Sequence, residues 1–254
     1  MLKRVVWVAG LAAVLAVAAG AQTLDDVLAK YYEARGGLAK IEAVKTAKIT
    51  GSMTVGPGVE APLTYYWKRP DKVRMEFTVQ GKTGIQAFDG TTGWMYLPFM
   101  GKTEPEKMPE DAIKDMEEAA DFEGPLVNWK AKGNEVELVG KENVEGTPAY
   151  KLKVTRKSGD VSFVYLDADY YLEIKSEGKR TVRDQEIEFE SSTGDYKEVD
   201  GLMLPFSVTS KAKGAPQSQT MTFKSIELDV PIDDALFVMP APGTKDAPAP
   251  QPSN

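Results

Sequence analysis

The sequence predicts an α+β fold in which a long antiparallel sheet has one face covered by a few short helices. Three observations lead to it. From Lys45 onward, apolar residues recur at every second position in one run after another, the period of a half-buried strand. The breaks between runs carry Gly, Pro and Asp-Gly, the residues of tight turns. Helical spacing shows only in two short segments near the N-terminus and in one at 109–120. A sheet with one apolar face must bury it, so the helices cover it, or the sheet curls, or both. On alternation alone, a closed lipocalin-like barrel fits as well. At 254 residues, 42% hydrophobic and 27% charged, the chain builds one sizeable core, and no break in composition marks a second domain.

Each element has its own signal. The opening residues carry Lys3 and Arg4, then an apolar run from Val5 to Ala18, and end Ala19-Gly20-Ala21, the small-residue pattern of a secretory cleavage site. Residues 1–21 therefore read as a removed signal peptide, 22–240 as the domain. Thr23 with Asp26 resembles a capping box, and Leu24, Val27, Leu28 and Tyr31 keep helical spacing until Gly36-Gly37. A second helical segment follows at 38–44. Strands are expected at 46–56, 61–69, 72–80, 83–89 and 93–98. Pro109 suits the start of a helix in which Ala112, Ile113, Met116, Ala119 and Ala120 form one apolar stripe. Strands resume at 134–142, 148–157, 160–167, 170–178, 184–193, 196–200, 203–212 and 217–229. In the last, the apolar phase shifts between Phe223 and Ile226, which predicts a bulge near Lys224-Ser225. Residues 241–254, with four prolines, read as a disordered tail.

Much chemistry is excluded. Histidine and cysteine are absent, and neither a Gly-x-Ser-x-Gly elbow nor a phosphate-binding glycine loop is present. No catalytic residue, metal site or cofactor is expected. Glu186, Glu188 and Glu190 share one strand face and read as a solvated outer surface; Asp167 and Asp169 lack the remaining ligands of a calcium loop and read as a turn. Without cysteine there is no acceptor for a lipid anchor on the protein itself. The 31 basic residues less Lys3 and Arg4, against 38 acidic ones, leave a mature charge near −9, which argues against nucleic acid as a partner.

The stretch from Tyr65 to Lys102 is strand after strand of bulky amphipathic side chains. Alternation groups Leu63, Tyr65, Trp67 and Arg69, and then Val73, Met75, Phe77 and Val79. Trp94 and Tyr96 follow, and Ile113 and Met116 lie on the helix beyond. Aromatic rings and flexible thioethers suit a surface that adapts to variable apolar ligands. A filled core is the competing reading. The candidate ligand contacts are Tyr65, Trp67, Met75, Phe77, Trp94, Tyr96, Ile113 and Met116.

Two segments carry a resemblance: WKRP at Trp67 to Pro70, and DGTTGWMYLPF at Asp89 to Phe99. In this order and spacing they resemble the LolA-like family of periplasmic outer-membrane lipoprotein-sorting proteins (LolA/LolB/LppX-type). DGLMLPF at Asp200 to Phe206 and the closing IELDVPIDDALFVMP extend the likeness over residues 23 to 240. The resemblance implies an open antiparallel half β-barrel wrapped over covering helices, with a hydrophobic cavity between sheet and helices. It also implies that Arg69 latches the helical lid at 109–120 through backbone hydrogen bonds. The implied function is that of a soluble, monomeric periplasmic carrier or chaperone, not an enzyme. It would receive acyl chains of lipoproteins or lipids from an inner-membrane donor and pass them to an outer-membrane acceptor. A lipid- or stress-sensing module of the same fold is the alternative.

Overall fold

A computed structural model describes residues 22–56, 58–182 and 185–241. The expected signal peptide, residues 1–21, lies outside the described residues, as does the expected tail beyond Ala241.

Helix α1 (Leu24–Ala34) starts at the expected capping box: Thr23 Oγ1 accepts from the Asp26 amide at 3.2 Å, and Asp26 Oδ2 accepts from the Thr23 amide at 3.0 Å. It buries Val27, Leu28 and Tyr31. Its end is tied to the sheet by Gly36. A Cβ there would stand 2.1 Å from the Gly201 carbonyl oxygen, so only glycine lets the turn lie against the 200–201 hairpin. Helix α2 (Leu38–Ala43) buries Ile41.

The strands are β1 (Thr46–Gly56), β2 (Val59–Lys68), β3 (Lys72–Val79), β4 (Lys82–Phe88), β5 (Gly93–Tyr96) and β6 (Glu106–Lys107). Then come helix α3 (Glu110–Ala120) and strands β7 (Glu135–Val144), β8 (Thr147–Thr155), β9 (Val161–Asp167), β10 (Glu173–Val182), β11 (Gln185–Val199), β12 (Leu202–Ala212) and β13 (Gln219–Leu228). They form one antiparallel sheet in the order β6-β5-β4-β3-β2-β1-β13-β12-β11-β10-β9-β8-β7. Two meanders meet at the β1–β13 pair, and the sheet stays open, with β6 and β7 as its edges. Because α3 lies between those two edge strands in sequence, the chain crosses the opening there. The fold is thus an α+β open half-barrel with helices against its concave face.

The expected bulge is present. Thr50 pairs with Ser225 but Gly51 pairs with Phe223, which leaves Lys224 as the extra residue. The two expected strands 184–193 and 196–200 are one strand. Gly194 and Asp195 do not break it, because Thr193 with Val208 and Tyr196 with Pro205 keep the same register on β12. The 167–171 segment is a turn, as expected: Asp167 Oδ1 accepts from the amides of Asp169 and Tyr170, both at 2.8 Å. Glu186, Glu188 and Glu190 each meet a lysine, Lys179 at 2.6 Å, Lys213 at 2.7 Å and Lys211 at 2.7 Å respectively.

The main core lies between α1, α2 and the concave face. Val27, Ile41, Leu152, Val154 and Leu166 are fully buried there. Each such side chain contributes about 1.5–3 kcal/mol by leaving water.

Candidate functional site

On the first five strands, alternation sorts the bulky side chains onto two faces, and the ladders say which is which. Leu63 pairs with Phe77, Tyr65 with Met75, and Trp67 with Val73, so these share the concave face. Helix α3 packs Ile113, Met116 and Ala120 against Val73, Phe88 and Met108. Tyr65 borders this cluster and also a second one, formed by Met53, Ala61 and Leu63 with half-buried Val55, Met75, Phe77, Met221 and Phe223. Among the described residues, none from α1, α2 or α3 takes part in that second cluster. Its centre, Met53, Ala61 and Leu63, is buried without a helix, while Val55, Met75, Phe77, Met221 and Phe223 around it stay half-exposed as a strip of apolar sheet.

Trp94 and Tyr96 are not on this surface. Trp94 pairs with Ala87 and Tyr96 with Ile85, and through β4 both fall on the face of Arg74 and Glu76, the convex one. The segment after β13 covers them: Trp94 Nε1 donates to the Phe237 carbonyl at 2.7 Å, and the fully buried Arg74 donates to the Leu236 carbonyl at 2.6 Å. The Arg74 guanidinium lies 5.6 Å from the centre of the Trp94 ring. These aromatics dock the chain's own C-terminal strap, which corrects the expectation that all eight residues line one surface.

Arg69 is also placed differently from expectation. Its Nε donates to the Val44 carbonyl at 2.6 Å and its Nη2 to the Ile41 carbonyl at 3.1 Å, at the end of α2. Nη2 also meets Glu123 Oε1 at 2.5 Å, in the segment beyond α3. Arg69 therefore latches α2 and the 121–124 segment, not the backbone of 109–120. The bond to α3 comes from Trp67, whose Nε1 donates to the Ala120 carbonyl at the helix end. Burial disfavours the Glu123 carboxylate, but Arg69 and Lys132 outweigh burial and hold its carboxyl below the ordinary glutamate value.

Behind this latch lies a cavity of about 340 Å³, within the range of ligand pockets. Ile49, Leu204, Val208, Phe223 and Ile226 form its apolar wall. Phe223 also belongs to the half-exposed strip, so the two surfaces are continuous. At its polar end stand Tyr31 from α1, Arg35 just beyond the end of that helix, Glu173 from β10 and Tyr196 from β11. Arg35 Nη1 donates to the Tyr31 hydroxyl at 2.9 Å and the Glu123 carbonyl at 2.6 Å; the Tyr196 hydroxyl donates to the Glu173 carbonyl at 2.8 Å. Burial pushes the Glu173 carboxyl up to about 7, against the opposing pull of Arg35 and a Ser176 hydrogen bond. Glu173 also lines a second cavity of about 210 Å³, between β9–β11 and α3.

The residues at this polar end were not among the candidates. Arg35 had a signal. It extends the stripe Leu24, Leu28, Tyr31 by one more turn, which puts a guanidinium in line with the buried face of α1. Glu173 had none, because its direction depends on a bulge: Glu173 pairs with Leu166 but Lys175 pairs with Tyr165, so the phase of β10 flips at Ile174. Among the described residues no group of three or more Asp or Glu is arranged to hold a metal ion.

No family model matches the sequence, and no curated protein matches it. The fold does match solved structures. A DUF1329 family protein from Desulfovibrio piger is 14% identical, with a TM-score of 0.57 over 82% of this chain and 95% of that one. A LolA superfamily protein from Nitrosomonas europaea is 12% identical, with a TM-score of 0.55 over 86% and 98%. An outer membrane lipoprotein-sorting protein domain from Vibrio parahaemolyticus is 10% identical, with a TM-score of 0.56 over 84% and 94%. Such identities speak to the fold, and on that ground this chain has the open half-barrel fold of LolA superfamily proteins.

Proposed function

We propose that this protein is a periplasmic carrier that shelters acyl chains of lipoproteins or lipids and passes them toward the outer membrane. The observation that carries the reading is the half-exposed apolar strip around Met75, Phe77, Met221 and Phe223, which runs into the cavity behind the latch. The half-exposed side chains around the buried Met53, Ala61 and Leu63 offer apolar surface beyond what the core takes up. Burying a sixteen-carbon chain contributes about 0.8 kcal/mol per methylene, roughly 12 kcal/mol gross, so binding needs no strong polar contact and leaves room for release. No helix among the described residues is long and apolar enough to cross a membrane. Release by a secretory peptidase after Ala21 and action as a monomer between a membrane donor and an acceptor belong to the same reading. The similarity to a lipoprotein-sorting domain supports its direction. The test is to purify the exported protein, identify co-purifying lipid by mass spectrometry, and follow transfer of a labelled acylated peptide from it to acceptor vesicles. Acyl cargo that moves to the acceptor is the expected result; protein that neither retains nor takes up acyl chains sinks the proposal.

A further inference from the structure

A carrier for bare acyl chains needs only a dry groove, yet this cavity has a charged end. Arg35 donates there from Nη1, to the Tyr31 hydroxyl and the Glu123 carbonyl, and its guanidinium lies 5.5 Å from the centre of the Tyr31 ring. Among the described residues, no hydrogen-bond acceptor meets its Nε or Nη2, and no carboxylate pairs with it within 4.0 Å. A half-buried guanidinium presents five donors in a planar fork, and a fork with one accessible edge open to the cavity fits an oxyanion. Cation binding is disfavoured by the same guanidinium.

We infer that the cavity selects single-chain amphiphiles with an anionic head, a carboxylate or a phosphate, seated on the free edge of Arg35 with the chain along Ile49, Leu204, Phe223 and Ile226. This rests on the acyl-binding reading above and adds the head group to it. Glu173 sets the condition. A second negative charge beside it favours its neutral form, so the ligand and the Glu173 proton bind together, and the neutral carboxyl becomes a donor to the head. The other charged or titratable groups facing this end are Tyr31 on α1, Asp121 and Glu123 beyond α3, and Tyr196 on β11. From the second cavity, Asp111, Lys114, Asp115 and Glu118 of α3, with Arg156, Asp160 and Lys179, line the other side of Glu173.

The experiment compares dodecanoate, dodecyl phosphate, dodecanol and dodecyltrimethylammonium by calorimetry at about pH 6 and about pH 8.5, either side of the Glu173 value. Dodecanoate or dodecyl phosphate should bind about ten- to a hundred-fold tighter than dodecanol at the lower pH, the range of a charge-assisted hydrogen bond. The tighter of the two names the head. The advantage should shrink at the higher pH in the native protein but not in Glu173→Gln. Titration in two buffers of different ionisation enthalpy should show proton uptake near pH 7.5 that Glu173→Gln abolishes. Arg35→Lys, which keeps charge without the fork, should lose most of the preference. Equal binding of dodecanol and the anions overturns the head site and leaves the acyl-binding reading standing. Tighter binding of the ammonium compound overturns it too, and binding of none of the four overturns both. Should Arg35→Lys fold poorly, the pH profile and proton uptake of Glu173→Gln decide alone.

Discussion

Arg69 at the end of β2 and Glu123 beyond α3 meet at 2.5 Å and join parts of the cover that approach the sheet from different directions. Glu123 is only 5% exposed, and its other charged neighbour, Lys132, stands at 3.4 Å. The same guanidinium holds the end of α2, so one side chain closes the joint between α2, the sheet and the 121–124 segment.

Arg69→Leu should keep the fold and lose about 1–3 kcal/mol of stability. Stranding a buried carboxylate costs more than that, but Arg69 is partly exposed and Lys132 remains as a partner. Hydrogen exchange should accelerate in α2 and in 121–124 first. Faster exchange confined to 110–120 would mean that the contacts named here do not carry the latch.

Stability should depend on pH through Glu173. Its folded value of about 7 lies above the ordinary 4.5, so between them the folded state holds a proton that the unfolded chain gives up. That contribution is complete below the unfolded value and is lost as pH rises through the folded one. Glu123, whose value is lowered, works in the opposite sense and matters only as pH falls below about 4.5. Thermal melts should show the midpoint falling from about pH 5 to about pH 8, and Glu173→Gln should flatten that slope. A variant with the native slope would place the titration elsewhere.

Trp94→Phe should leave affinity for an acyl probe within about two-fold, because the ring faces away from the concave surface, while the lost bond to Phe237 costs roughly 1–2 kcal/mol. The amides of 230–239 should exchange faster. A ten-fold loss of probe affinity with an unchanged strap would reverse the assignment of faces.

Phe77→Asp tests the half-exposed strip. The residue is half-buried and packs on Phe99 of the short helical turn Pro98–Met100, with ring centres 5.5 Å apart, so a charge there should cost that contact and the ring's partial burial, about 2 kcal/mol. Binding of an acyl probe should weaken by ten-fold or more. Full binding would show that cargo does not use this strip.

Local rules were legible in the sequence because they act between near neighbours. The Thr23–Asp26 box, the strand edges at glycine and Asp-Gly, and the Lys224 bulge each depend on a few adjacent residues, and they lie where the pattern puts them. Alternation also separated the two faces of the strands that carry no unforeseen bulge, such as β2 and β3. What it did not contain was which face turns inward on β5: only the β4 ladder and the strap from 230–239 send Trp94 outward. The latch and the cavity are tertiary in the same sense. Arg69 reaches α2 across 25 and 28 residues and Glu123 across 54. Arg35, Glu173 and Tyr196, far apart in sequence, line one cavity, and Glu173 points inward only because β10 bulges at Ile174. A side chain's period is written in its own strand, but the charge it meets is set by whatever distant element the sheet order brings opposite it.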